Sequence, residues 1–299
     1  MHKNEALSLN RKYFLIGASG YVGKKIFNRI KNVENVYGTS TGGGNGLLSL
    51  SLDAPEKFDY TLVAPGDIVF LAAAISAPDI CAREYSRAWA VNVTGTSNLI
   101  QRFVDCGARV VFFSSDTVYG EREGEFDENA ACNPAGEYAE MKRAVEQRFA
   151  DNSSFKTIRL SYVFSREDKF SSYLIGCVDR NEEADLFHPF FRAVVHRDDI
   201  VEGVLALAGC WDAVPERVIN FGGPQVLSRV DFADCLREAH LRDLRFKVTE
   251  PGADFFKNRP RFIAMTSPVF ARLLGRQPRA LRQAACLEFV SSSNVRAFS

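Results

Sequence analysis

The chain has 299 residues and is electrically balanced, with 37 lysines and arginines against 37 aspartates and glutamates. A balanced chain lacks the positive field that attracts phosphate backbones or anionic lipids, so neither nucleic acid nor a membrane surface is an expected partner. With 46 % hydrophobic residues, the chain is long enough to bury a core in one large domain or two unequal ones.

The longest uninterrupted apolar run, residues 68–75, is far shorter than the roughly 20 residues that span a membrane. The amino-terminal residues are polar and no signal-peptide core follows them, so we expect a cytoplasmic protein. The seven scattered cysteines are odd in number and include no CxxC pair, which is typical of reduced thiols in that compartment. The four histidines lack metal-ligand spacing, so no metal site is expected.

Predicted strands and helices alternate along the first part of the chain. Apolar runs typical of strands cover residues 13–17, 33–39, 47–52, 67–74, 109–115 and 156–164. Apolar residues at helical spacing cover residues 20–30, 86–106 and 137–150. The glycine-rich segment 41–46 is a turn or, alternatively, the mobile edge of a ligand site. This alternation predicts an α/β fold, a Rossmann-like doubly wound sheet of mainly parallel strands.

The alternation weakens after residue 164, where aromatic residues, prolines and short helices become frequent. We therefore expect a Rossmann domain over residues 1–164 and a smaller α/β region over residues 165–299. The smaller region would cover the sheet and bind the substrate. Residues from about 195 to 222 are expected to return to the first domain.

Three glycines follow the first predicted strand with the spacing GxxGxxG, at positions 17, 20 and 23. Glycine permits a positive φ and lets backbone N–H groups approach a pyrophosphate. It also lets the next helix lie close to the sheet. The position between strand and helix therefore predicts a dinucleotide-binding turn, although the spacing differs from the common GxGxxG.

Tyr138 and Lys142 lie four residues apart in the predicted helix 137–150, which places both side chains on one helical face. The phenol of tyrosine has an ordinary pKa of about 10, and a nearby ammonium lowers that pKa by favouring the phenolate. The pair therefore predicts a tyrosine that exchanges protons near neutral pH.

Together these motifs resemble those of the extended short-chain dehydrogenase/reductases. Ser115 precedes the tyrosine of the YxxxK motif by 23 residues, and both lie downstream of the glycine turn. Further agreements are the segments 71–74, 92–96, 133–134, 195–200, 219–223 and 273–278. The resemblance is to the branch of nucleotide-sugar epimerases, dehydratases and 4-ketoreductases, among them dTDP-4-keto-6-deoxysugar reductases. It covers nearly the whole chain.

The resemblance implies a catalytic set of Ser115, Tyr138, Lys142 and Asn92. Ser115 would bind the substrate oxygen that exchanges a proton with Tyr138. Asn92 would anchor a water or a backbone group of the proton relay. Lys142 would also bind the nicotinamide ribose.

The implied cofactor is a nicotinamide dinucleotide. Its expected contacts are Gly17, Ser19, Gly20, Tyr21, Val22, Gly23, Thr39, Ser40, Asp53, Leu71, Ala72, Ala73, Tyr138 and Lys142. Residues 38–41 contain no acidic side chain that would bind the ribose hydroxyls of NAD and repel a 2′-phosphate. NADP is therefore favoured, and NAD remains an alternative.

The residues after Ser115 narrow the reaction that the resemblance implies. A dehydratase would carry a glutamate base where Thr117 follows Asp116. The leading hypothesis is therefore an NADP-dependent reductase of a nucleotide-linked 4-keto(-6-deoxy) sugar. The alternative is a nucleotide-sugar 4-epimerase that retains NAD, and a third hypothesis is a non-catalytic dinucleotide-binding regulator.

The expected substrate contacts are Asp116, Thr117, Arg192, Arg197 and Arg259. Guanidinium groups suit a diphosphate, and the aromatic residues near Arg192 suit a nucleobase or a sugar ring. The helices over residues 86–106 and 136–150 form a dimer interface in many members of the resembled family, which suggests a homodimer.

Overall fold

The computed structural model describes residues 10–289. The strands are β1 (Tyr13–Ile16), β2 (Val36–Ser40), β3 (Leu48–Ser49), β4 (Ile68–Leu71), β5 (Arg109–Ser115), β6 (Glu125–Phe126), β7 (Phe155–Leu160), β8 (Val163–Phe164), β9 (Glu183–Phe187), β10 (Phe191–Ala193), β11 (Val195–His196), β12 (Val218–Phe221), β13 (Val226–Ser228), β14 (Arg245–Thr249) and β15 (Ala264–Met265). The α-helices are α1 (Tyr21–Ile30), α2 (Pro78–Arg83), α3 (Tyr85–Trp89), α4 (Thr96–Asp105), α5 (Glu137–Arg148), α6 (Lys169–Asp179), α7 (Arg197–Gly209), α8 (Arg229–Ala239), α9 (Ala253–Phe256), α10 (Pro268–Leu274) and α11 (Leu281–Phe289). A π-helical segment (Ala90–Gly95) joins α3 to α4.

The central sheet has seven strands in the order β12-β7-β5-β4-β1-β2-β3. All of its neighbouring pairs are parallel. Strand order reverses between β1 and β4, and ligand sites of doubly wound sheets lie outside the carboxyl ends of the strands at such a point. The predicted Rossmann-like α/β fold is confirmed.

Helices cover both faces of the sheet, which explains the continuous apolar strands. In β1, Tyr13 and Leu15 belong to the core that includes residues of α1 and α7. Phe14 and Ile16 belong to the opposite core, which includes residues of α4 and α5. Because both faces are covered, a ligand reaches the sheet from the ends of its strands.

Two predicted elements are divided in the structure. The strand predicted over 156–164 ends at Leu160, and the separate strand β8 leaves the main sheet to pair with β11. The helix predicted over 86–106 contains the π-helical segment, whose Gly95 packs on a neighbouring loop. A Cβ on Gly95 would lie 1.8 Å from the carbonyl oxygen of Leu52, so the helix approaches the loop too closely for any side chain.

A second, smaller core lies in the later part of the chain. Residues of α6, β9, α8 and α11 contribute to it. The parallel pair β9–β14 and the antiparallel pair β10–β13 lie in this part of the molecule. Strand β12, by contrast, pairs with β7 at the edge of the main sheet. No helix within residues 10–289 has the length and apolar character needed to cross a membrane.

The turn after β12 depends on a glycine. A Cβ on Gly223 would lie 1.6 Å from the carbonyl oxygen of Val194, so Gly223→Ala must displace backbone. We expect a loss in the free energy of unfolding of about 2 kcal/mol or more, measured by urea denaturation. The control is Gly252→Ala, where nothing lies within 4 Å of the new Cβ and a change within about 0.5 kcal/mol is expected. Equal stability of the two variants would contradict the close packing at Gly223.

Candidate active site and cofactor cleft

The turn between β1 and α1 contains glycines, so backbone atoms without side chains lie at the carboxyl end of β1. Gly17 has a φ of +89°, and a Cβ there would lie 2.9 Å from the backbone nitrogen of Ala73. A Cβ on Gly23 would lie 2.2 Å from the carbonyl oxygen of Gly17, so α1 approaches the turn only with glycine at this position. Gly20 differs, because its φ is −76° and its nearest neighbour would be 3.3 Å away. A Cβ at this distance is tight but needs only a small shift, so the packing demands glycine less strictly at position 20 than at positions 17 and 23.

This turn borders a cleft of about 520 Å³. The expected cofactor-binding residues that line it are Gly17, Ser19, Gly20, Tyr21, Val22, Gly23, Ser40, Asp53, Ala72, Ala73, Tyr138 and Lys142. The first N–H groups of α1 have no side-chain cap from Gly20, and free N–H groups at a helix start attract phosphate. The residues present therefore fit a dinucleotide.

Two residues expected at the cofactor lie beneath the cleft instead. Thr39 is fully buried, and its hydroxyl oxygen accepts a long hydrogen bond of 3.4 Å from the Gly17 N–H. Leu71 is also buried and packs in the core on the α4 side of the sheet. We correct both expectations, because these side chains support the floor of the cleft. Arg87 and Ser76 line the cleft and were missed, since neither belongs to a motif.

The expected catalytic pair, Tyr138 and Lys142, lies on one face of α5 and lines the cleft. The Lys142 ammonium donates a 2.7 Å hydrogen bond to the carbonyl oxygen of Phe113 in β5. The same nitrogen lies 5.7 Å from the centre of the Tyr138 ring. Burial lowers the pKa of Lys142 to about 8, although Glu146 and Cys81 oppose this change.

The Tyr138 phenol is a weaker acid than the sequence predicts. Burial raises its pKa, and Cys81 and Asp116 raise it further. The expectation that Lys142 lowers this pKa is wrong for this geometry, because the ammonium is bonded to the Phe113 carbonyl and lies over the ring. Tyr138 is therefore protonated at neutral pH and can act as a proton donor.

Ser115 ends β5 and begins a short turn that contains the two residues after it. Its hydroxyl donates to Asp116 Oδ1 at 3.2 Å and accepts from the Thr117 hydroxyl at 3.0 Å. The buried Asp116 accepts a 2.8 Å hydrogen bond from the Ser161 hydroxyl and lies 3.6 Å from Arg192 Nε. Burial raises the pKa of Asp116, while Arg192 and Ser161 oppose this change. This chain of polar contacts connects the end of β5 to the C-terminal region.

Asn92 lies in the π-helical segment and is buried. Its Oδ1 accepts from the Ile75 N–H at 2.8 Å, and its Nδ2 donates to the Ile75 carbonyl at 2.8 Å. Of the two roles expected for Asn92, this geometry corresponds to the anchoring of a backbone group. The side chain fixes the loop that follows β4.

Two arginines line a small pocket of about 20 Å³ in the C-terminal region. The guanidinium carbons of Arg192 and Arg229 lie 4.3 Å and 5.1 Å from the centre of the Phe190 ring. Burial lowers the pKa of Arg192, Asp116 opposes this change, and Arg229 adds to it. Arg229 Nε is buried and has no hydrogen-bond partner in the described part of the chain. No motif indicates Arg229, because only the fold brings it beside Arg192.

The other two arginines expected to bind substrate lie elsewhere. Arg259 forms a 2.6 Å ion pair with Asp79 of α2. Arg197 forms a 2.8 Å ion pair with Glu167, and its guanidinium carbon lies 4.9 Å from the centre of the Tyr21 ring. The contacts of Arg197 place it at the glycine turn, and its expected role in substrate binding stays a prediction.

One cluster of metal-ligand type occurs among residues 10–289, formed by His196, Asp198 and Glu288 within 4.8 Å of one another. Asp198 is paired with Lys25 at 2.7 Å. His196 Nε2 lies 3.0 Å from Glu288 Oε1. These contacts account for the cluster as ion pairs and hydrogen bonds that join α7 and α11 to neighbouring elements.

The fold, the glycine turn and the YxxxK pair define an NAD(P)-dependent enzyme of the extended short-chain dehydrogenase/reductase class, in its nucleotide-sugar branch. Residues 11–288 match the family described as the RmlD substrate binding domain, and the chain belongs to that family.

Two curated relatives match most of the chain. The dTDP-4-dehydrorhamnose reductase of Mycobacterium tuberculosis is 25% identical over 244 residues, which cover 78% of this chain and 79% of the relative. The methionine adenosyltransferase 2 subunit beta of Xenopus laevis is 23% identical over 256 residues, which cover 79% of this chain and 75% of the relative.

Two solved structures share the fold. One is a dTDP-4-dehydrorhamnose reductase from Bacillus anthracis in complex with NADP, with a TM-score of 0.78, 18% identity, and coverage of 95% of this chain and 100% of that one. The other is a UDP-glucose 4-epimerase from Thermotoga maritima with UDP-glucose, with a TM-score of 0.79, 19% identity, and coverage of 95% and 99%.

The position of Gly20 at the cleft leads to a prediction for cofactor binding. Gly20→Val places a branched side chain where a pyrophosphate would approach the turn, and its Cβ would lie 3.3 Å from the Gly17 carbonyl oxygen, which must shift slightly. We expect the affinity for NADPH to fall at least about tenfold, measured by titration calorimetry, with little change in melting temperature. The control is Gly252→Val, in the open loop before α9, which should bind NADPH as the wild type does. Unchanged affinity in Gly20→Val would show that the glycine serves only the turn.

Proposed function

We propose that the protein is an NADP-dependent reductase of a nucleotide-linked 4-keto(-6-deoxy) sugar. The observation that carries this proposal is the partly buried Tyr138 beside Lys142 in the cleft that begins at the glycine turn. A protonated tyrosine is the form that a carbonyl reduction needs, because the oxygen of the carbonyl must gain a proton.

The chain's own residues have distinct tasks in this reaction. When bound, the nicotinamide supplies a hydride to the carbonyl carbon. Ser115 turns its hydroxyl proton from Asp116 to the carbonyl oxygen, and Tyr138 transfers its proton to that oxygen. Lys142 binds the nicotinamide ribose and stabilises the phenolate that remains. Asn92 fixes the loop after β4 so that the cleft keeps its shape.

The preference for NADP is supported by the end of β2. Ser40 and Thr41 line the cleft there, and no acidic residue occurs between positions 38 and 41. A carboxylate at this position would repel a 2′-phosphate. The NADP complex of the Bacillus anthracis structure is consistent with this preference.

The assignment of a nucleotide sugar is supported by the polar chain from Ser115 to the C-terminal region. Asp116 and Thr117 adjoin the proposed carbonyl site, and Asp116 connects it to Arg192. Arg192 and Arg259 remain the proposed contacts for the diphosphate, with Arg259 exchanging its partner Asp79 for phosphate oxygens. The reductase named among the relatives acts on a sugar of this class.

The 4-epimerase is the second candidate, and the likeness to the Thermotoga maritima structure supports it. An epimerase must first remove a proton from a sugar hydroxyl, which needs an ionised tyrosine. Both enzymes would use the same tyrosine, so the cofactor distinguishes them: NAD(H) retained by the purified protein would favour the epimerase. The intact Tyr138–Lys142 pair favours either enzyme over a non-catalytic regulator.

Tyr138→Phe removes the proton donor and leaves the ring in place. We expect kcat for NADPH-dependent reduction to fall about 10²–10⁴-fold, with little change in NADPH affinity. The control is Tyr85→Phe, which changes an exposed tyrosine of α3 and should leave turnover unchanged. Normal turnover in Tyr138→Phe would remove the proposed mechanism.

The substrate class is tested by following NADPH and NADH oxidation with dTDP-, GDP-, CDP- and UDP-linked 4-keto-6-deoxy sugars. We expect turnover of at least one of these compounds and a higher kcat/KM with NADPH. Turnover of none, with activity on a free ketone or aldehyde, would contradict the nucleotide-sugar assignment. Preference for NADH would contradict the interpretation of residues 38–41.

A further inference from the structure

Helix α5 carries a carboxyl group, that of Glu146, on the same face as Tyr138 and Lys142. Tyr138, Lys142 and Glu146 follow one another at four-residue intervals, so they lie along one side of the helix. Tyr138 and Lys142 line the cleft, whereas the Glu146 side chain is only 1% exposed. Glu146 is thus a buried carboxyl group one turn from the proposed catalytic lysine.

Four hydrogen bonds surround the Glu146 carboxyl group. Its Oε1 accepts from the Ser114 hydroxyl at 2.5 Å and from Arg159 Nε at 3.1 Å. Its Oε2 accepts from a terminal nitrogen of Arg159 at 2.7 Å and from one of Arg143 at 3.0 Å. Because every neighbour is a donor, the group is bound as a carboxylate. A side chain fixed by four bonds has little freedom to turn away from α5.

The partners of Glu146 belong to the strand that ends at Ser115. Ser114 lies in β5, and Arg159 is its partner in the parallel register between β5 and β7. The Phe113 carbonyl of the same strand accepts the hydrogen bond from Lys142. Three consecutive residues of β5 therefore bind Lys142, bind Glu146 and present the Ser115 hydroxyl. The contacts fix α5 in one position relative to the end of this strand.

Lys142 has no carboxylate in direct contact within residues 10–289, since its one hydrogen bond goes to a carbonyl. Its ammonium also lies 4.6 Å from the centre of the Phe112 ring. The titratable groups that face it are Tyr138 and Glu146 from α5 and Cys81 from α2, with Asp116 beyond Tyr138. Of these, the Glu146 carboxylate opposes the effect of burial and favours the charged lysine. Arg143 and Arg159, the nearby cations, form ion pairs with Glu146.

We propose that Glu146 is a positioning residue for the catalytic pair, one that fixes α5 on β5 and holds a carboxylate one helical turn from Lys142. Glu146 does not touch substrate or cofactor in this role. It acts through Lys142, whose ammonium binds the ribose and stabilises the phenolate in the proposed function. The effect of Glu146 on turnover rests on the proposed reductase function. Its effect on the charge of Lys142 does not depend on that function.

The test measures the titration of Lys142 directly in the full chain, by NMR of protein with ¹³C-labelled lysine. Lys142→Arg identifies the resonance. Glu146→Gln keeps the shape of the side chain and removes its charge, so the lysine titration should move down by roughly one pH unit. The matched control is Arg143→Gln, which leaves Glu146 and Arg159 in place and should move the titration by less than half of that shift.

The same variants are then compared for the pH dependence of NADPH-linked turnover. Activity that needs the Lys142 ammonium is lost as pH rises through the lysine pKa, so Glu146→Gln should lose activity at lower pH than the wild type. A merely structural role would reduce turnover or stability without moving this pH limit. A folded Glu146→Gln protein whose Lys142 titration is unchanged would overturn the proposal.

A second variant covers the case in which Glu146→Gln does not fold because Arg159 loses its buried partner. Glu146→Gln combined with Arg159→Gln removes both charges, and Arg159 is not among the groups that shift the Lys142 pKa. The lysine titration should still move down, and an unchanged titration in this protein would overturn the proposal. A shifted titration in a protein that turns over no nucleotide sugar would support the role of Glu146 and contradict the proposed function.

Discussion

The Lys142 ammonium is buried and donates its hydrogen bond to a main-chain carbonyl, that of Phe113 in β5. A charged group in this position is costly unless its neighbours compensate it, and the compensation comes from one carbonyl, two aromatic rings and the carboxylate of Glu146. This contact joins α5 to the carboxyl end of β5. It brings Tyr138 into the cleft that begins at the glycine turn, so the proposed chemistry depends on it.

The part of the site that would bind the substrate depends on a second buried charge, that of Asp116. Asp116 follows Ser115 directly and interacts with Arg192 across the boundary between the sheet and the C-terminal region. Arg229 lies near Arg192, and the guanidinium groups of both residues contact the Phe190 ring. The buried carboxylates of Asp116 and Asp168 partly offset the charges of Arg192 and Arg229 respectively. The planar guanidinium groups suit the diphosphate of the proposed substrate by their geometry.

Much of the fold could be predicted from local patterns. Strands β1, β4 and β5 are buried on both faces, and a continuous apolar run marks such strands in the sequence. The glycines at 17 and 23 could be located because their role is steric and local. The π-helical segment could not be predicted from local patterns, and the close approach of its Gly95 to Leu52 involves residues distant in the sequence.

The side chains of the site were harder to predict than the elements that carry them. Thr39 and Leu71 lie at strand ends, where a shift of one residue decides between cleft and core. The four-residue spacing of Tyr138 and Lys142 showed a shared face but not the burial that raises the tyrosine pKa. Glu146 and Arg159 have ordinary surroundings in the sequence, and only the packing of α5 on the sheet brings them together.

The central claim is that the cleft directs a net hydride transfer, with Tyr138 as the proton donor. The most direct measurement uses NADPH that is dideuterated at the reactive nicotinamide carbon, together with a nucleotide-linked 4-keto-6-deoxy sugar. The account predicts one deuterium at the former carbonyl carbon of the product and one equivalent of NADP for each turnover. Interconversion of two hydroxyl epimers without deuterium uptake and without net cofactor oxidation would contradict it.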